Sequence, residues 1–406
     1  HCETYNSHKI ASPDTVRSIV QDIIADLRQL PTANQEQRIL ESLLADMTHE
    51  WRAIWAMHGT EEQSYPAYET LLANVLQTSA RSCANLKLPS NGMQVQPILR
   101  NYLAACFNPN AETLAQLPIP RFDRPIIIVA APRSGSTLLF ETLAKHAEVW
   151  SLGNESHGEI ENISGLSPRD RNYSSNALAA EDATPHVRSA LKRVFSERLR
   201  QDDQVAYAFL PAERRPTTVR MLEKTPKNAL RIPFLNAVFP DALFIYLHRR
   251  PETNLASMIE AWKSGKFVTY RDLPEWRGLP WSLLLTPDWR NLPQDDLAAI
   301  AASQWQHAND AIVRDLSVMP INRWRTLKYE DLIQSPAETL TRLWEFCGLQ
   351  HDDGLSSKFA QGLPLSRYTL SAPSDEKWQR YAPDIKRVMP ALKPTITRIT
   401  ELGNCL

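Results

Sequence analysis

The sequence predicts an α/β fold: a P-loop-like, open, mostly parallel sheet flanked by helices, preceded by an N-terminal helical extension. Three observations predict it. Ile126 to Ala131 is a continuous apolar, largely β-branched run, as a strand buried on both faces requires. A Gly/Ser turn and a helical pattern from Ser136 to about Lys145 follow it directly. Further strand patterns then alternate with helical ones, which is the texture of βαβ units.

Taken in order, the first third of the chain reads as helix. Val16, Ile19, Val20, Ile23, Ile24, Leu27 and Leu30 recur at a 3.6-residue period. Ile39 to Trp55 and Tyr68 to Leu76 carry two further stripes. Residues 1–117 are therefore expected to form a helical N-terminal region, joined at Leu117-Pro118-Ile119-Pro120 to an α/β domain over 118–406. Beyond the join, Thr218–Leu222, Ala242–Leu247 and Trp324–Lys328 read as further strands. Helices are expected after Pro251, from about Asp296 to Leu316, and from about Pro336 to Cys347, where Gly348 supplies a C-terminal stop. Ligands on open α/β sheets bind beyond the C-terminal strand ends, near a topological switch point.

Composition excludes several classes. Apolar residues at 43% and charged residues at 22% describe an ordinary globular chain, not a disordered one. Lys and Arg total 45 against 46 Asp and Glu, a net charge of −1, so no global field draws the chain to nucleic acid or an anionic membrane. An anionic ligand must be met by a local cluster of cations. The longest apolar runs fall far short of the ~20 residues of a membrane helix, and no signal-peptide h-region is visible. Five scattered cysteines without CxxC spacing argue against a disulfide framework or zinc site, and a reducing cytoplasm is the expected location.

The strongest motif is Ala130-Ala131-Pro132-Arg133-Ser134-Gly135-Ser136-Thr137, between a strand and a helix. Small residues there let backbone N–H groups converge on an anion, and the helix N-terminus adds partial positive charge. Arg133 adds a full charge, and Ser136 and Thr137 add hydroxyls. The pattern is not a Walker loop, which needs Lys where Ser136 stands and Gly where Ala130 stands. No DxD pair or His/Asp cluster with metal-ligand spacing is visible, so no metal is expected.

This loop resembles the 5′-phosphosulfate loop of the sulfotransferase superfamily, in the PRSG form of the tyrosylprotein and many bacterial sulfotransferases. The resemblance covers roughly residues 120–385. It implies sulfuryl transfer from PAPS (3′-phosphoadenosine 5′-phosphosulfate), with PAP as product. It assigns Arg133, Ser134, Gly135, Ser136 and Thr137 to the nucleotide. The family's second signature, RDPRDVAVS, is similar to Arg249 through Ser257, placing Arg249 and Ser257 at the 3′-phosphate. Arg250 replaces the familiar Asp, and is expected either to reshape the turn or to add a phosphate contact. Lys224, in Leu222-Glu223-Lys224-Thr225-Pro226-Lys227-Asn228, is implied as a second cation on the sulfonate. Lys377, in the stretch Ser371 to Trp378, is similar to a residue of the loop that closes over the nucleotide. Tyr329-Glu330-Asp331-Leu332 matches a family stretch expected to be structural.

A base must take the acceptor's proton. The resemblance places Glu155 where the tyrosylprotein branch has its base. His157 is the alternative, and His248 is expected to be structural. The expected acceptor is a hydroxyl or amine of a small molecule, free or carrier-bound, with secondary metabolism as one source; a homodimer is compatible with the helical region. Two other readings stand beside this one: a P-loop kinase of a small metabolite, and an inactive adenosine-phosphate-binding protein. The Trp- and Pro-rich stretch from Lys263 to Asp295 reads either as a lid over the acceptor or as a structural aromatic cluster.

Overall fold

The computed structural model describes residues 117–201, 207–209, 215–370 and 376–403. By its internal contacts the chain divides into His1–Pro118 with Asp203–Arg215, and Ile119–Asp202 with Pro216–Leu406. The helical stripes expected before Leu117 lie outside the described residues. All that follows concerns the second unit.

Its elements in chain order are β1 (Arg121–Phe122), β2 (Ile126–Val129), α1 (Ser136–Leu143), β3 (Val149–Ser151), α2 (His157–Glu161), α3 (Pro185–Arg198), β4 (Thr218–Lys224), α4 (Ile232–Val238) and β5 (Leu243–His248). Then come α5 (Pro251–Ser264), β6 (Val268–Tyr270), β7 (Trp281–Ser282), α6 (Leu297–Ser317), β8 (Trp324–Lys328), α7 (Tyr329–Gln334), α8 (Pro336–Cys347), α9 (Asp353–Ala360) and α10 (Ala382–Gly403). The predicted strand at Trp324 and the helix from Pro336 to Cys347 appear residue for residue. Helix α10, with Pro390 and Pro394 inside it, was not anticipated.

Six strands make one sheet. β2 lies between β4 and β5; β5 continues to β8, and β4 also pairs β1 and β3. Every one of these pairs is parallel. Both faces are covered, which explains why β2 is buried at every position and carries no polar alternation. Ile126 and Ile128 join Leu139, Leu143, Ile245, Leu343 and Trp344 in one apolar cluster. Each such side chain contributes about 1.5–3 kcal/mol on burial.

After β2 the chain builds β3 and β4 on one side, then β5 and β8 on the other. The C-terminal end of β2 is thus the switch point, where the loop connections diverge and leave a crevice.

Candidate nucleotide and transfer site

The crevice is a cavity of about 700 Å³. Segments from the C-terminal ends of β2, β4, β5 and β8 converge on it, together with the loop after β3.

The loop after β2 owes its shape to two left-handed residues, Arg133 at φ 66° and Gly135 at φ 96°. For a non-glycine residue such as Arg133 this costs about 1–2 kcal/mol. The conformation is held from α5: Ser134 Oγ donates to Asn254 Oδ1 at 2.9 Å, and Asn254 Nδ2 donates to the Pro132 carbonyl at 2.9 Å. The next residues open α1, whose first N–H groups have no partner within the helix. Gly135 is required on two grounds. A Cβ there would lie 2.4 Å from Tyr329 Cδ2, and φ is positive. Gly135→Ala is therefore expected to lower the thermal midpoint by roughly 3–10 °C and weaken nucleotide binding. A melt and a calorimetric titration check this; an unchanged midpoint would show that the loop tolerates a side chain.

The Arg133 guanidinium lies over Phe267, 4.4 Å from the ring centroid, and Nη2 donates to the Tyr368 carbonyl at 3.0 Å. Its Nε is buried without a hydrogen-bond partner. Burial, then repulsion from Arg249, lowers its pKa to about 10. It remains a cation at neutral pH, and an incoming anion would relieve its repulsion with Arg249.

Arg249 leaves the end of β5, lies over the Tyr329 ring at 4.6 Å, and donates to the Arg133 carbonyl at 3.4 Å. The two basic turns are thus adjacent. Arg250 is not among the residues lining the cavity. It caps α5, its backbone N–H donating to Glu330 Oε1 at 3.1 Å, and its side chain lies 3.6 Å from the same oxygen. Glu330 thereby gives the Tyr329–Leu332 stretch the structural role expected of it, while Tyr329 itself lines the cavity.

On the other wall, Lys224 is 3% exposed, and its Nζ donates to Glu155 Oε1 at 2.6 Å and Thr137 Oγ1 at 3.1 Å. The second Glu155 oxygen lies 3.7 Å from His157 Nδ1. The next residue, Ser156, is fixed to the end of β4. Its N–H donates to Thr225 Oγ1 at 2.7 Å, and its hydroxyl donates to Glu223 Oε1 at 2.5 Å. Thr225 and Asn228 also donate to Glu223, whose carboxyl is raised by complete burial. Burial, then Lys227, lowers the His157 imidazole below its usual range.

Arg133, Gly135, Ser136, Thr137, Glu155, His157, Arg249, Ser257 and Lys377 all line this one cavity. Ser134 does not; its side chain is spent on Asn254. Lys224 stands behind Thr137 and Glu155. His248 is also outside the lining, and burial brings it down to about 4.

Sequence reasoning missed a second charged group in the wall. Lys227 donates to both Glu161 oxygens, at 2.7 and 2.9 Å, and buried Arg231 donates to Oε1 at 2.6 Å. Burial alone would raise the Glu161 carboxyl, but the two cations hold it below its usual range. Burial brings Lys227 down to about 8. Lys227 and Asn228 stand in the motif that drew notice for Lys224, so a strand-end run of polar residues was the available signal.

The Lys263–Asp295 stretch packs an aromatic cluster and also reaches the cavity. Trp262, Trp281 and Trp289 are buried in mutual edge contacts, forming a small core. The β6–β7 hairpin resting on it presents Phe267, Val268, Leu283 and Leu284 to the cavity.

A parallel sheet with a cation-bearing loop at its switch point and a second arginine alongside makes this an α/β protein with a basic crevice. The model of the sulfotransferase family matches residues 125–353, more than half of the chain, and the chain belongs to that family. An uncharacterized protein of Aquifex aeolicus (strain VF5) is 23% identical over 285 residues, covering 68% of this chain and 33% of its own length. The chain thus spans about a third of that relative. Among solved structures, the sulfotransferase domain from the curacin biosynthetic pathway is 19% identical, covering 66% of this chain and 98% of that one, with a TM-score of 0.35. Mouse sulfotransferase SULT7A1, complexed with PAP, is 15% identical, covering 73% and 92%, with a TM-score of 0.37. Among the described residues no helix is long and apolar enough to cross a membrane.

Proposed function

We infer that this chain transfers the sulfuryl group of PAPS to a hydroxyl or amine of a small-molecule acceptor, releasing PAP. The observation that carries the reading is the adjacency of the Arg133 and Arg249 turns on one cavity, with Glu155 lining it and joined through Lys224 to Thr137. The donor set fits the nucleotide: a half-buried guanidinium whose buried Nε–H is still unsatisfied, helix-terminal amides, hydroxyls and a second arginine.

In this reading PAPS supplies the sulfuryl group and a phosphate as leaving group. The amides opening α1, with Ser136 and Thr137, hold the 5′ end. Arg133 neutralises the negative charge that grows on the departing oxygen. Arg249 and Ser257 hold the 3′-phosphate, and Lys377 adds a cation at the rim. Glu155 accepts the acceptor's proton, while Lys224 fixes its other oxygen. A side-chain cation suffices because –SO₃ carries only about one negative charge.

Nucleotide selectivity tests this. PAP should bind more tightly than its analogue lacking the 3′-phosphate, and Arg249→Ala should remove that preference, weakening PAP by about tenfold to a hundredfold while leaving the analogue little changed. Calorimetry with both ligands on both proteins reads it. Equal weakening of the two ligands would place the 3′-phosphate elsewhere.

A further inference from the structure

A segment between α9 and α10 crosses the cavity. Of residues 363–370, all line it except Arg367. This strap is folded on itself, Ser366 and Thr369 bonding through their hydroxyls at 3.0 Å and through Thr369 N–H to the Ser366 carbonyl. At Tyr368 it accepts from Arg133, as described above.

Arg367 turns the other way. Its Nε donates to Glu141 Oε1 of α1 at 2.6 Å, Nη1 to Asn154 Oδ1 at 2.9 Å, and Nη2 to the Gly153 carbonyl at 3.0 Å. Those last two acceptors are the residues immediately before Glu155. The loop carrying Glu155 is therefore pinned at both ends: Ser156 by the buried Glu223–Thr225 group, and Gly153–Asn154 by Arg367. The first anchor belongs to the sheet. The second belongs to a strap more than two hundred residues away in sequence. A guanidinium suits the task, since its planar fork spends donors in three fixed directions. No other strap side chain bonds to this loop in the described hydrogen-bond pattern.

We propose that Arg367 is a positioning residue that locks the strap to the Glu155 loop, so that closure over the cavity and alignment of the proton acceptor are a single event. The link to Glu155 as base rests on the sulfotransferase reading; the lock itself does not.

The experiment has two arms on the full chain. The first measures amide hydrogen exchange of wild type and Arg367→Ala without any ligand. Removing the lock should speed exchange about tenfold in both the strap and residues 152–156, while β2 and β5 are unchanged. If residues 152–156 exchange as in wild type, the lock is refuted. The second arm is a double-mutant cycle on turnover of labelled PAPS. Arg367→Ala should lower kcat about tenfold in wild type and hardly at all in Glu155→Gln, with PAP affinity little changed in both. Full additivity would mean that Arg367 does not act through Glu155. Should wild type neither bind PAP nor move label, the sulfotransferase reading fails, and the exchange arm still decides whether the strap and loop are joined.

Discussion

Arg133→Ala is expected to lower kcat by about 10²–10³-fold, the loss typical of removing one preorganised donor from a developing anion. PAP affinity should fall less, because the charge on the leaving oxygen reaches its full value only during transfer. Three features point to this residue. Its guanidinium is held by Phe267 and the Tyr368 carbonyl, so these contacts leave its donors free of a carboxylate hydrogen bond. One buried N–H lacks a partner. Its backbone sits in a left-handed conformation that any non-glycine residue would find costly, so alanine adds no new backbone penalty. The thermal midpoint should stay close to that of wild type. Steady-state kinetics with labelled PAPS, beside a melt, check the prediction. Normal turnover would exclude Arg133 from the chemistry, and a loss of PAP affinity with kcat unchanged would make it a ground-state binding group only.

Glu155→Gln is the second large effect. Loss of a general base should reduce kcat by about 10²–10⁴-fold with PAP affinity unchanged. The substitution keeps an oxygen for the Lys224 hydrogen bond but removes that lysine's counter-charge, and Lys224 is almost fully buried. A lower thermal midpoint should therefore accompany the loss, and kinetics must be read below the transition. An unchanged rate would move the base to His157, which is half exposed and stands 3.7 Å from the Glu155 carboxylate. His157→Gln would then carry the loss instead.

Much of the sheet was legible because parallel strands buried on both faces leave continuous apolar runs, as at Ile126–Val129 and Leu243–Leu247. The end of α8 was legible through Gly348. Helix α10 was not, since Pro390 and Pro394 read as helix breakers; a surface helix packed along α6 accommodates them. At the site, residues carried by local motifs were found: the Arg133 turn, Arg249, Lys224. Residues joined only by the fold were missed. Asn254 bonds to Ser134 across 120 positions, and Arg367 reaches Glu141 across 226. No local pattern encodes such a pairing, and a polar residue in a loop has no periodicity to betray its partner. Ser134 shows the converse: the motif marked it for the nucleotide, but the fold uses its hydroxyl to hold the loop.

The most direct test follows the transferred group. With ³⁵S-labelled PAPS and a panel of hydroxyl- and amine-bearing small molecules, label should appear in an acceptor and PAP should accumulate in equal amount, without any need for ATP. Label that stays on PAPS throughout, while γ-³²P passes from ATP and magnesium to an acceptor, would contradict the account and return the Arg133 turn to the kinases.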